Sequence, residues 1–104
     1  MSKLAIPLPM DEIRTFCRKW KVARLEVFGS ILRDDFRPDS DVDFLVTWEP
    51  DARWSLFDHM EMEEELAAVV GREVDLVSRK AVEESRNWIR REDTLRHVEV
   101  IHAA

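Results

Sequence analysis

The chain reads as one domain of the mixed α/β (α+β) class spanning residues 1–104, and three observations carry that expectation. Apolar residues recur at steps of three and four along two long stretches, the mark of helices with one buried face. Three short segments alternate polar and apolar residues, the mark of strands. The order of these segments, helix, strand, short helix, strand, helix, strand, helix, interleaves the two element types as that class does. With 45% apolar and 37% charged residues, the chain has enough for one core and a mixed-charge surface, and 104 residues leave no room for a second core.

The first helix is expected over about Asp11 to Lys19, from the spacing of Met10, Ile13, Phe16, Cys17 and Trp20. Arg24 to Phe28 alternates and runs into Gly29-Ser30, a strand closed by a tight turn. A short helical turn follows at Ile31 to Asp34, before Pro38 forces an extended path. Asp41 to Thr47 forms the second strand, with Val42, Phe44 and Val46 on one face and Asp41, Asp43, Leu45 and Thr47 on the other. Ser55 and Asp58 have capping-box spacing, Gly71 suits a helix stop, and the long helix between them carries Leu56, Phe57, Met60, Leu66, Ala67, Val69 and Val70 as its apolar face. Its Glu61, Glu63, Glu64 and Glu65 read as a solvated face. Glu73 to Val77 is a third strand with Asp75 opposite Val74 and Leu76, and Ala81 to about Arg91 a third helix. His97 to Ile101 fits either an edge strand or the tail of that helix.

Cys17 is the only cysteine, so it forms no internal disulfide, and its helical setting suits a buried structural thiol. The opening MSKLAIPLPM is too short and proline-broken for a secretory signal, and no apolar run approaches the roughly 20 residues of a membrane span. A reducing, cytoplasmic setting is expected. A formal charge of −6 argues against an unaided grip on nucleic acid, where phosphate neutralisation supplies most non-specific affinity, and suits a basic partner or cations.

The chemistry-bearing residues gather around VFGSILRDDFRPDSDVDFLV. Asp41 and Asp43, two apart on a strand, face the same way with Cα atoms roughly 6.5 Å apart, so both carboxylates can address one cation or a cation pair. Their hard oxygens favour Mg²⁺ or Mn²⁺. Gly29, at a strand end, lets the backbone come close to a ligand, and the Ser30 hydroxyl and amide suit phosphate oxygens. Arg33 offers a positive charge to a triphosphate or an ion pair to Asp34 or Asp35. Asp75 in an alternating strand makes sense if that strand lies beside the one carrying Asp41 and Asp43, where a third carboxylate serves a two-metal site. Asp34, Asp35 and Asp39 read as loop solvation and capping. Trp20 and Trp88 are expected in the core; Trp48 and Trp54 pack, line a nucleotide pocket or meet a partner. His59, His97 and His102 have no ligand spacing and no assigned role.

Gly29-Ser30, ten residues and Asp41-Val42-Asp43 resemble the GS(x10)DxD signature of the DNA polymerase β-like nucleotidyltransferase superfamily. With GREVDLV following a helix, the chain is most similar to the minimal nucleotidyltransferases, over about residues 10 to 90. The resemblance implies a small mixed β-sheet flanked by helices and Mg²⁺-dependent nucleotidyl transfer from ATP, with two Mg²⁺ ions. It implies metal ligation and catalysis by Asp41, Asp43 and Asp75, and nucleotide binding by Gly29, Ser30, Arg33 and Ser40. Leu32, where a small residue is usual, and Asp34, where glycine is usual, depart from the pattern. Members of this size resemble antitoxins paired with a helical HEPN-type RNase toxin, one of whose tyrosines the antitoxin adenylylates. This chain contains no tyrosine, so such an acceptor lies elsewhere. The alternative is a catalytically silent antitoxin or nucleotide-binding module that neutralises its partner by occlusion. Homo-oligomerisation is left open.

Overall fold

The structure is a computed structural model that describes residues 7–32, 37, 40–84, 86 and 95–103. Helix α1 (Met10–Lys19) leads into strand β1 (Val22–Phe28), and a single 3₁₀ turn (Gly29–Leu32) follows it directly. Then come β2 (Val42–Trp48), α2 (Leu56–Val70), β3 (Val74–Ser78), α3 (Arg79–Glu83) and β4 (Val98–Ala103). The sheet order is β3-β2-β1-β4, with β1 antiparallel to both β2 and β4 and β2 parallel to β3. The segment from His97 to Ile101 thus resolves as an edge strand.

The helical turn begins two residues earlier than expected, because Gly29 takes φ +79° and bends the chain out of β1 at once. Helix α3 also starts early, at Arg79: Ser78 serves as its N-cap, accepting a hydrogen bond from the Ala81 N–H at 3.4 Å. Positions 87–91 of the expected helix, Trp88 among them, lie outside the described residues, as do Arg33, Asp34, Asp35 and Asp39. The capping box of α2 forms as expected: the Ser55 hydroxyl oxygen accepts from the Asp58 N–H, and Asp58 accepts from the Ser55 N–H. Gly71 closes that helix in the left-handed conformation at φ +79°.

One face of the sheet carries the core. Leu25 and Val27 of β1, Val42, Phe44 and Val46 of β2, and Leu76 of β3 pack against Ile13, Phe16, Cys17 and Trp20 from α1 and Met62 and Leu66 from α2. Full burial of each large aliphatic or aromatic side chain contributes about 1.5–3 kcal/mol. The register puts Leu45 on the opposite face beside Glu26, and both are fully buried, so the second face is also covered at its centre.

Helix α2 departs from its sequence reading in an informative way. Met62 and Leu66 are buried and Val69 and Val70 partly so, whereas Leu56, Phe57 and Met60 stand exposed. The sheet-facing stripe runs through positions 59, 62, 63, 66, 69 and 70, one helical phase that also draws in His59 and Glu63. The glutamate run is therefore not a solvated face throughout. Glu63 accepts a hydrogen bond from the Leu76 N–H at 2.8 Å, and Glu65 accepts from Trp20 Nε1 and Lys19 Nζ, both at 3.0 Å; Glu61 and Glu64 remain exposed.

Cys17 is 1% exposed, and burial pushes its thiol up from 9.0 to about 12. Two outcomes follow. The folded protein resists iodoacetamide at pH 8 and reacts once denatured, read by intact mass. Below pH 9 both states keep the thiol proton and stability does not depend on it; between 9 and 12 only the unfolded chain loses it, so stability falls by up to about 1.4 kcal/mol per pH unit. A Cys17→Ala variant compared by urea unfolding lacks that component of the alkaline slope.

Candidate active site

The site lies where β1 ends, β2 begins and β3 begins. Phe28, the last residue of β1, pairs with Asp43, and Asp43 pairs in parallel register with Asp75. Neighbouring strands stand about 4.8 Å apart, so Asp43 and Asp75 are adjacent on one face of the sheet. Asp41 precedes the first residue of β2 and is exposed, two residues before Asp43 and thus on the same side. The expectation that the Asp75 strand lies beside the one carrying Asp43 is met; the strand proper starts at Val42 rather than Asp41.

Gly29 is built into this corner. A Cβ at that position would fall 2.5 Å from Asp43 Oδ2, far inside contact distance, and its φ of +79° is one that L side chains rarely adopt. No other residue type lets β1 end so close to the Asp43 carboxylate. Ile31 is fully buried, and Leu32 packs partly buried against the core. The bulk at position 32, unusual against the resemblance, thus anchors the turn inward.

The chain entering β2 is braced by backbone bonds. The Ser40 N–H donates to Arg37 O at 3.0 Å, the Ser40 hydroxyl oxygen accepts from the Arg37 N–H at 2.9 Å, and Arg72 Nη1 donates to Arg37 O at 3.2 Å. Ser40 therefore closes the turn that delivers Asp41 and Asp43, whatever further contact its hydroxyl proton makes. Arg33 lies outside the described residues, and so does the side chain of Ser30, whose backbone belongs to the 3₁₀ turn.

Glu26 was legible only as the polar member of an alternating strand, yet it is fully buried. It sits one row below Asp43 on the same face of the sheet. Arg79 Nη1 reaches its Oε1 at 2.6 Å from the residue after β3, and Arg24 Nε stands 3.5 Å away. Glu26 Oε2 is buried without a hydrogen-bond partner among the described residues. A buried carboxylate is tolerated only with such a partner, and removing one member of a buried pair costs about 3–5 kcal/mol, towards the lower end here because Arg79 retains some solvent contact.

The donor set at the corner is all carboxylate, which fits a hard divalent cation, and the absent Cβ of Gly29 leaves Asp43 Oδ2 its place. Among the described residues, no three carboxylate, imidazole or thiol side chains already converge tightly enough to hold a metal ion. Asp41 and Asp75 are exposed, so their side chains can change rotamer at little cost, and crowded carboxylates draw together when a cation offsets their repulsion. A cavity of about 430 Å³ lies elsewhere, at the far end of β2, lined by Trp48, Trp54, Leu56 and His59 among others. Trp48 is five residues from Asp43, roughly 16 Å along a strand, so neither tryptophan lines the carboxylate corner. Trp54 instead packs edge-on against Trp20 and donates to Trp20 O at 3.1 Å, and Trp48 meets the His59 ring edge-on.

The nucleotidyltransferase domain family matches residues 10–101, and the chain belongs to that family. Protein adenylyltransferase MntA of Thermococcus cleftensis is 41% identical over 64 residues, 62% of this chain and 63% of that protein. The chain thus spans just under two thirds of that curated relative. A solved structure described as a minimal nucleotidyltransferase is 31% identical, with a TM-score of 0.65 and 86% of each chain covered. The complex of a tri-AMPylated Shewanella oneidensis HEPN toxin with its MNT antitoxin matches at a TM-score of 0.62 and 18% identity, over 91% of this chain and 70% of that one, a likeness of fold. The mixed four-stranded sheet with its helices is the minimal nucleotidyltransferase fold.

Gly29→Ala tests the corner directly. It is expected to destabilise the protein by about 1–2 kcal/mol through the left-handed backbone alone. It should also displace the Asp43 carboxylate and weaken Mn²⁺ binding. Urea unfolding and Mn²⁺ titration check the two effects, and unchanged values in both would contradict the close approach.

Proposed function

We propose that the chain is a divalent-metal-dependent nucleotidyltransferase that moves AMP from ATP to a hydroxyl of a partner protein. The observation that carries this reading is the row of Asp43 and Asp75 on adjacent strands with Gly29 packed against Asp43, in a chain of the nucleotidyltransferase domain family. Asp41, Asp43 and Asp75 would hold two Mg²⁺ ions, which when bound neutralise the triphosphate and make the acceptor hydroxyl more acidic. Gly29 would keep the backbone clear for phosphate approach, and the Ser30 hydroxyl and amide, Arg33 and Ser40 would bind the nucleotide, as the resemblance implies. In the transfer, the acceptor oxygen forms a bond to the α-phosphorus while the bond to the departing pyrophosphate breaks, and the acceptor proton passes to solvent.

The acceptor is a tyrosine of a HEPN-type RNase toxin, and the modification silences it, so the chain acts as an antitoxin in the cytoplasm. Two facts support this. The relatives include a protein adenylyltransferase, and a fold neighbour is held in complex with an AMPylated HEPN toxin. With no tyrosine and a net charge of −6, the chain offers no tyrosyl acceptor of its own and complements a basic RNA-binding partner.

Incubation with ATP, Mg²⁺ and the HEPN-type toxin proposed as its partner, followed by intact-mass measurement, tests the assignment. The expected result is a partner heavier by one or more adenylyl groups, with no gain for Asp43→Asn. If the partner's mass never changes, yet Asp43→Asn still abolishes its nuclease activity by binding, the chain works by occlusion instead.

A further inference from the structure

We infer that His59 and Glu63 of α2 are positioning residues for Asp75, acting through the backbone of Leu76; this rests on the reading of Asp75 as a metal ligand. Strand β3 is an edge of the sheet, paired only with β2 among the described strands. A two-sided strand has its register held by ladders on both flanks, whereas an edge strand is held on one. Asp75 lies on this weakly held strand, yet a metal ligand must be kept to within a fraction of an ångström.

Both outward-facing backbone groups of Leu76 are taken up by α2. Glu63 Oε2 accepts from the Leu76 N–H at 2.8 Å, and His59 Nε2 donates to the Leu76 carbonyl at 2.7 Å. That N–H belongs to the peptide that joins Asp75 to Leu76, so the Glu63 bond fixes the plane from which the Asp75 side chain departs. The two clamping side chains stand 4.0 Å apart, one turn apart on the helix, and both are about two-thirds buried. Met62 and Leu66, between and beyond them on the same stripe, are fully buried and lock the phase of α2. The edge of β3 thereby acquires a second ladder made of side chains, centred beside the carboxylate.

The probe is Mn²⁺ alone, its free fraction read by electron paramagnetic resonance and each variant's melting temperature recorded alongside. Loss of a partner that orients a metal ligand weakens metal affinity by about 10–100-fold. Glu63→Ala is expected at the lower end of that range, and Glu63→Asp, which keeps the charge but withdraws the acceptor by one methylene, should weaken binding similarly. Glu63→Gln retains an amide oxygen for the Leu76 N–H and should stay close to wild type. Where Glu63→Ala fails to fold, the contrast between Glu63→Asp and Glu63→Gln decides the matter. Wild-type Mn²⁺ affinity in a folded Glu63→Asp protein overturns the clamp. So does a loss in Glu63→Gln as large as in Glu63→Asp, because charge rather than the bond would then be responsible. Asp75→Asn in the same assay separates the two layers: if it binds as wild type does, Asp75 is no ligand and the underlying assignment falls with the clamp; if it weakens while the Glu63 variants do not, the clamp alone falls.

Discussion

β1 and β2 occupy the centre of the sheet, each paired on both sides, and the rest of the molecule is arranged around their antiparallel seam. Along it Leu25 faces Val46 and Val27 faces Phe44, all at 1% exposure or less, with α1 and α2 closing over them. The register has no freedom, because a slip of one residue would turn this apolar set to the opposite face. That rigidity reaches the chemistry directly. The pairing that aligns Val27 with Phe44 also aligns Phe28 with Asp43, and so sets Gly29 against the Asp43 carboxylate.

Much of this was legible beforehand because it depends on local rules. Alternation located β1, β2 and β3; the Ser55 and Asp58 pair and Gly71 bounded α2; and the position of Asp75 within an apolar alternation implied a neighbouring strand with a use for it. The resemblance at GS(x10)DxD pointed to the same corner. Short-range signals of this kind survive folding because they are satisfied within a turn or a strand.

The residues whose settings local patterns did not disclose are charged side chains with partners far along the chain. Glu26 meets Arg79 across 53 residues, Glu65 meets Trp20 across 45, and Glu63 meets Leu76 across 13. A polar residue at a buried position looks the same in sequence as one facing water; only the tertiary partner distinguishes them. In α2 the ambiguity was compounded by apolar residues at 56, 57 and 60, which suggested a wider buried face than the helix presents. The phase set by Met62 and Leu66 leaves that first turn outside the core and brings Glu63 in.

The capping of β3 by α2 also bears on how this sheet can meet other chains. An exposed strand edge is a template on which a foreign strand can add, the usual route to swapped dimers and to fibrils. At Leu76 that template is filled, since its donor and its acceptor are both engaged by side chains of the same protein. Growth of the sheet is thereby discouraged on the side that holds the carboxylates, leaving β4 as the sheet's other outer strand. A molecule approaching the β3 side at Leu76 therefore meets side chains rather than free backbone groups.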